Sequence, residues 1–319
     1  MTDLLNSKIL ITGGTGFLGS ALVRRLGEVG VPDENLRVPK HSDFDLRDAA
    51  KCAEVVKGAE VVVHLAARVG GIGFNQLSPG SLFYDNAIMG IQMMEASRTA
   101  GVRKFVALGT VCAYPKFTTV PFKEKDLWSG YPEETNAPYG LAKKMLLVQA
   151  QAYRTQYGFN AIYLLPVNLY GPGDNFNLES SHVIPAMIRK FVSATESNAK
   201  EVTLWGTGNA SREFLYVDDA AEGIYLATRN YDGPDPVNLG AGYEIKIREL
   251  AELVASMTGF SGRVVWDASR PDGQPRRMLD TSRAEKEFGF SAKTTLKEGL
   301  QRTIQWYRLT HPGDERQVS

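Results

Sequence analysis

Only two cysteines occur in the chain, Cys52 and Cys112. That is too few for a disulfide framework, and they lack the paired spacing of a zinc site. A reducing compartment is the simplest setting for such a chain. Long apolar runs are missing as well: no stretch of 18 apolar residues occurs, so no membrane-spanning helix is expected. Charge of one sign is not in excess either. The 36 basic and 36 acidic side chains cancel, so no bulk electrostatic signature of nucleic acid or of an anionic membrane is present. An anionic ligand must then be held by local groups. Met1 to Ser7 is polar and leads straight into an apolar strand-like run, unlike a secretory leader, so a cytoplasmic protein is expected. Internal repeats and low-complexity tracts are absent. What remains is an ordinary globular composition, 43% hydrophobic and 23% charged over 319 residues, long enough for a cofactor domain with a smaller partner domain.

Lys8 to Thr12 is a short run of β-forming residues, closed by Gly13-Gly14-Thr15-Gly16, and Phe17 to Val29 then has apolar residues at helical spacing. Similar short strands are read at Leu36 to Val38, Glu60 to Leu65, Lys104 to Leu108 and Ala161 to Leu165, with helices at Phe83 to Thr99 and Tyr139 to Tyr157 between them. Continuous apolar strands separated by helices are buried on both faces, so the fold class expected is α/β with a Rossmann-type doubly wound parallel sheet. After Gly171-Pro172-Gly173 polar loops interrupt the pattern, at 175–181, 195–201 and 269–275. The reading is therefore a cofactor domain over residues 1–170 and mainly a smaller C-terminal substrate domain over 171–319. Val202 to Trp205 and Pro236 to Leu239 are left open, as strands that either rejoin the main sheet or belong to the smaller domain.

Glycines at the spacing GxxGxxG, Gly13, Gly16 and Gly19, stand between a strand and a helix. Glycine allows the tight turn and a close approach of backbone to ligand, and the helix N-terminus offers open N–H groups to a pyrophosphate. Phe17 and Leu18 belong to the same candidate dinucleotide site. Where the second strand ends, an acid would suit the ribose of NAD, but the chain reads Val38-Pro39-Lys40-His41. A base there suits a 2′-phosphate, pointing to NADP(H) with Lys40 and His41 as contacts; a solvated surface lysine is the plain alternative. Asp45 and Leu46 are candidates for the adenine. Tyr139-Gly140-Leu141-Ala142-Lys143 is a YxxxK at the start of a helix, which puts phenol and ammonium on one face. A nearby ammonium should pull the tyrosine below its ordinary value of about 10, making it an acid/base.

With a dinucleotide loop ahead of it, this YxxxK resembles the short-chain dehydrogenase/reductase family, and the resemblance implies that Thr110 is the hydroxyl that bonds the substrate oxygen. The resemblance sharpens along the chain through Ala67-Arg68-Val69-Gly70-Gly71-Ile72, Gly109-Thr110-Val111-Cys112-Ala113-Tyr114-Pro115-Lys116 and Pro166-Val167-Asn168-Leu169-Tyr170-Gly171-Pro172. It continues through Ser181-His182-Val183-Ile184-Pro185, Trp205-Gly206-Thr207-Gly208, Arg212 to Asp219 and Pro271-Asp272-Gly273. Together these resemble the GDP-L-fucose synthases within that family, nearly end to end. One departure is Thr110, where those enzymes carry serine; both supply a hydroxyl.

The resemblance implies catalytic roles for Thr110, Cys112, Tyr139, Lys143 and His182, cofactor contacts at Leu65, Ala66, Ala67, Leu108, Gly109, Tyr139, Lys143, Pro166, Val167, Asn168, Leu169 and His182, and substrate contacts at Asn168, Lys190, Trp205, Arg212 and Asp272. No metal is implied. It further implies a GDP-linked 4-keto-6-deoxy sugar as substrate, epimerised at C3 and C5 and then reduced at C4, and a homodimer joined through helices. A ketone makes both neighbouring carbons acidic, so Cys112 is expected to remove a proton from one face and His182 to supply one on the other, with Tyr139 and Thr110 holding the enolate oxygen. A related epimerase or 4-ketoreductase acting on another deoxysugar or a heptose is the nearest alternative. A catalytically inactive NADP-binding regulator is the alternative from another class.

Overall fold

β-Branched and apolar residues fill Ile9–Thr12 (β1), Val61–His64 (β3), Lys104–Leu108 (β4) and Ala161–Pro166 (β5), and every position of these four strands is buried. In the computed structural model, which describes residues 1–270 and 272–312, they form the middle of a six-stranded parallel sheet. Leu36–Arg37 (β2) closes one edge and Val237–Leu239 (β10) the other, in the order β10-β5-β4-β3-β1-β2. The helices Phe17–Glu28 (α1), Ala49–Val55 (α2), Ile72–Leu77 (α3), Pro79–Thr99 (α4) and Ala137–Tyr157 (α5) lie between these strands. The remaining elements are Asn168–Tyr170 (β6), Val183–Glu196 (α6), Glu201–Trp205 (β7), Ser211–Arg212 (β8), Phe214–Tyr216 (β9), Val217–Asn230 (α7), Ile245–Lys246 (β11), Ile247–Thr258 (α8), Arg263–Asp267 (β12), Ser282–Phe288 (α9) and Leu296–Thr310 (α10).

The chain leaves β1 for β2 on one side and returns to β3 on the other. This reversal of strand order creates the crevice where doubly wound sheets take their ligands. Helices cover both faces, α1 packing with α7 and α4 with α5 and α2, so the expected Rossmann-type fold class is found.

The two open strands resolve differently. Val237–Leu239 joins the main sheet beside β5, whereas Glu201–Trp205 pairs in parallel with β12, outside it. The second half is also more regular than its polar loops suggested: α6, α8 and α10 are amphipathic helices of 14, 12 and 15 residues. α4 and α5 begin earlier than expected, each with a proline at its first or second position, where the missing N–H leaves no bond unmade.

Buried apolar side chains gather in two clusters. One surrounds the main sheet and draws back to it Leu215, Val217, Ile224, Leu239, Leu279 and Phe290 from the C-terminal half. The other lies among α6, α8 and α10 with β7 and β9. Among the described residues no helix is long and apolar enough to cross a membrane. Pro271, a member of one motif noted above, lies outside the described residues.

Candidate active site

Gly13 takes φ +72°, a backbone that favours glycine, and a Cβ built there would lie 2.7 Å from the backbone nitrogen of Ala66. The loops after β1 and β3 thus touch across the switch point. Gly19 is more confined still, since its Cβ would lie 2.1 Å from the carbonyl oxygen of Gly13. Gly16 caps α1 with no side-chain partner, and no acid stands in the first turn, so the opening N–H groups of a twelve-residue helix face outward. A pyrophosphate fits this cradle: glycines make room for it and the helix end supplies donors. Phe17 and Leu18 are half-buried beside it.

At the far end of the crevice Lys40 and His41 are exposed on the loop after β2. Arg47 grips the carboxylate of Asp45, which holds it down to about 2, and also reaches Asp85, which Arg68 pairs at 3.0 Å. The Leu46 side chain is buried in the core around the main sheet, so any contact with an adenine there falls to its main chain.

Leu65, Ala66 and Ala67 are half-buried in the loop after β3. Leu108 and Gly109 end β4 in buried positions, with Gly109 pressed against the Tyr163 hydroxyl. Pro166 and Val167 are buried and leave only main chain toward the crevice, while Asn168 and Leu169 are half-buried. The amide of Asn168 donates to the carbonyl of Glu213 at 2.9 Å.

Thr110 stands at the end of β4 and caps a short 3₁₀ turn, Val111–Ala113, by accepting the Cys112 N–H at 3.2 Å. That leaves the hydroxyl proton for another acceptor, and Thr110 lies close enough to Tyr139 to pull its phenol downward. The first turn of α5 rests on this 3₁₀ turn. A Cβ on Gly140 would lie 2.3 Å from the Cys112 carbonyl oxygen, so glycine here lets Tyr139 approach Cys112. One turn further on, Lys143 is buried and its ammonium is pushed down to about 8 by burial.

The expected lowering of Tyr139 by Lys143 is not found. Burial raises the phenol above its ordinary value and Cys112 adds to the rise, with only the Thr110 hydroxyl opposing them. The Gly71 N–H donates to the Ser180 carbonyl, anchoring the loop that carries His182 to the start of α6. His182 opens into the cleft, where enclosure by protein and then the charge of Arg277 hold its imidazole below the usual value.

The expected substrate residues gather around the end of β7. The Lys190 ammonium donates to the carbonyl of Thr203 at 2.8 Å, and burial lowers it. Trp205 is half exposed, with the Arg270 guanidinium 4.9 Å from its ring centre. Arg212 donates to the carbonyl of Asp272 at 2.9 Å; burial, and then Arg277, push it down to about 9. Asp272 spends both carboxylate oxygens on Thr207, accepting from its N–H and its hydroxyl at 2.7 Å each.

Thr110, Cys112, Tyr139 and Lys143 therefore share one wall. His182 and Arg212 are in electrostatic reach of that wall through Arg277, and Lys40, His41 and Asp45 lie apart at the other end. Arg277 and Gln274 were not anticipated. The Arg277 guanidinium lies 3.6 Å from the Cys112 sulfur, and its own support is Gln274. Buried donors on one wall, a thiol and an imidazole around a cleft, and a phenol beside a lysine make an acid/base site suited to a carbonyl compound.

Residues 9–240 match the NAD dependent epimerase/dehydratase family. A probable GDP-L-fucose synthase 1 of Oryza sativa subsp. japonica is 44% identical over 304 residues, covering 94% of this chain and 92% of that protein. Among solved structures, a GDP-6-OMe-4-keto-L-xylo-heptose reductase from Campylobacter jejuni superposes with a TM-score of 0.91 at 29% identity, covering 97% of this chain and 100% of the other. A GDP-L-fucose synthetase from Naegleria fowleri bound to NADP gives a TM-score of 0.87 at 27% identity, covering 99% and 98%.

Proposed function

The chain belongs to the NAD dependent epimerase/dehydratase family, and on that premise we propose that it inverts C3 and C5 of GDP-4-keto-6-deoxy-D-mannose and reduces C4 with NADPH, forming GDP-L-fucose. The observation that carries this reading is a thiol, Cys112, in the Thr110–Tyr139–Lys143 wall together with an imidazole, His182, in electrostatic reach of the same Arg277 that contacts the Cys112 sulfur. A reductase alone needs only the wall. An epimerase needs a proton taken from one face of the sugar and returned to the other.

The roles follow from the chemistry of each group. Cys112 takes the proton from C3 or C5, and the electron pair of the C–H bond passes into an enolate whose oxygen is held by the Tyr139 and Thr110 hydroxyls. His182 donates on the opposite face, and its lowered value makes the imidazolium a readier donor. When bound, NADPH supplies the hydride that reduces C4. Tyr139 then protonates the C4 oxygen, supported by the ammonium of Lys143.

The glycines of the β1–α1 loop cradle the pyrophosphate, and Lys40 and His41 meet the 2′-phosphate that distinguishes NADP from NAD. Lys190, Trp205, Arg212 and Asp272 hold the GDP moiety. In this reading the core around the main sheet serves as the cofactor domain and the core among α6, α8 and α10 as the substrate domain. The protein acts in the cytoplasm as a homodimer through α4 and α5, whose exposed Phe83, Tyr84, Met145 and Val148 give that pair an apolar outer face.

The test is direct. Purified protein, GDP-4-keto-6-deoxy-D-mannose and NADPH should give loss of the reduced cofactor's absorbance, with GDP-L-fucose identified by NMR and slower turnover with NADH. A different C3 or C5 configuration in the product would leave a ketoreductase and remove the epimerase step. The second reading, a 4-ketoreductase of a GDP-linked heptose, draws on the 0.91 TM-score to the heptose reductase, and turnover of a heptose in preference to the deoxysugar would establish it.

A further inference from the structure

Arg277 is buried, with only 6% of its surface exposed. Among the described residues no carboxylate forms an ion pair with it. A buried cation without a counter-ion is costly, so its surroundings should contain the anion it serves. The nearest candidate is sulfur: Nη1 of Arg277 lies 3.6 Å from Sγ of Cys112, within reach of a hydrogen bond to a large, polarizable acceptor.

The guanidinium is held in place from two directions. Its Nε donates to Oε1 of Gln274 at 3.1 Å, and the amide of Gln274 donates to the carbonyls of Pro115 and Lys116 at 3.2 and 2.9 Å. Those carbonyls belong to the chain that leaves the Cys112 turn. From behind, the carbonyl of Arg277 accepts the N–H of Glu213, and the Glu213 carboxylate takes the N–H of Leu279 at 2.6 Å. The route from Pro115 through Gln274 and Arg277 to Cys112 is a closed ring of contacts across 165 residues of sequence.

We propose that Arg277 is the positioning residue of the epimerisation: it orients the sulfur of Cys112 toward the sugar and serves as counter-ion to the thiolate that takes the C3 and C5 protons. This rests on the function proposed above for its sugar chemistry, but its effect on the thiol does not. The same charge disfavours an imidazolium at His182, so Arg277 gives the two proton-transfer groups unequal electrostatic support. The guanidinium contacts the sulfur directly, whereas it reaches His182 only through space. Among the described residues, Tyr139, Arg212 and Arg277 are charged or titratable groups that face Cys112.

The first measurement needs no substrate. Iodoacetamide alkylates thiolate, and Cys52 is fully buried, so the rate at neutral pH reports Cys112. Arg277→Gln should slow alkylation by about 10-fold and Arg277→Lys, which keeps the charge but not the fork, should recover to within about 3-fold of the parent. Gln274→Leu, which leaves Arg277 in place but unsupported, should fall between them. NADPH binding by fluorescence checks that each variant is folded.

With the keto-sugar and no NADPH, Arg277→Gln should lose solvent-deuterium incorporation at C3 and C5 by about 50-fold in kcat, with KM within about 3-fold. Equal alkylation rates in the parent and both Arg277 variants would overturn the inference. So would a large rise in KM with unchanged exchange kcat, which would make Arg277 a ligand of the sugar's diphosphate. If the parent does not exchange the keto-sugar at all, the functional reading fails, and the alkylation series still decides the role of Arg277.

Discussion

Lys143 shows how a buried charge works against the fold that holds it. Burial pushes its ammonium down to about 8, so below that pH the folded protein must carry a charge that the unfolded chain solvates freely. For a depressed lysine the folded state releases its proton first, and stability therefore rises with pH between about 8 and the ordinary lysine value of 10.5. Lys143→Met should raise the thermal midpoint of the cofactor-free protein at pH 7 by about 2 °C. The gain should shrink above pH 8, while ketone reduction is lost; calorimetry across pH 6.5–9.5 would check the trend, and an unchanged or lower midpoint at pH 7 would refute it. Cys112→Ser separates the two half-reactions. It should remove deuterium incorporation at C3 and C5 by about 100-fold with NADPH affinity unaltered, and retained exchange would take Cys112 out of the mechanism. At this scale the sequence was readable wherever a motif was local. Tyr139 and Lys143 are one helical turn apart, and Thr110 and Cys112 are two residues apart, so spacing alone brings them together. Arg277 escaped notice because its partner lies 165 residues away and its own surroundings, Gln274-Pro275-Arg276-Arg277, look like a solvated surface loop.

Elements carry the geometry that single residues cannot. The docking of α5 on the Cys112 turn depends on the bare backbone of Gly140, whose missing Cβ would fall 2.3 Å from a carbonyl oxygen fixed by its own turn. Gly140→Ala must push the helix start outward, carrying Tyr139 away from Thr110 and Cys112. Such a shift should reduce both exchange and reduction by about 10-fold or more, since an ångström at the reacting groups is felt strongly. NADPH binding should stay within about threefold because the glycine loop is untouched; full activity in the alanine variant would show that the contact yields. Strands were legible here because four of them are mostly apolar and buried at every position, as expected of a sheet covered on both faces. The helices of the second half were less so. Their apolar stripes are present, but 183–196, 247–258 and 296–310 are set among polar loops that dominated the reading. Pro79 and Pro138 also hid two helix starts, because proline reads as a break and acts as a beginning.

Across the whole molecule, Glu213 is the joint between the two halves. It is fully buried, and its carboxylate accepts the N–H groups of Ala241, Gly242 and Leu279. Its backbone also borders both hydrophobic clusters, with Phe214 in one and Leu215 in the other. Burial pushes the acid up to about 7, against the pull of those three donors. Glu213→Ala would leave three N–H groups without this acceptor, the Leu279 one buried, and should lower unfolding stability by about 2 kcal/mol. Urea denaturation gives the value, and a loss below 1 kcal/mol would mean the segments find other partners. The return of the C-terminal half to the sheet was foreseen only as one of two readings for Pro236 to Leu239. Hydrophobicity marks a strand, but which neighbour it pairs with is decided by distant helices, here α7 against α1 through the Arg24–Asp218 and Arg25–Glu222 pairs.

That late return matters while the protein is being made. β5 ends at Pro166 and its outer neighbour begins at Val237, so about 70 residues must leave the ribosome before the edge of the sheet can be covered. At roughly 5–20 residues per second, the growing chain spends several seconds with a fully apolar strand unpaired on one side. Nascent chains arrested short of Val237 should be protease-sensitive and held by chaperones, and those extended past Phe290 should not.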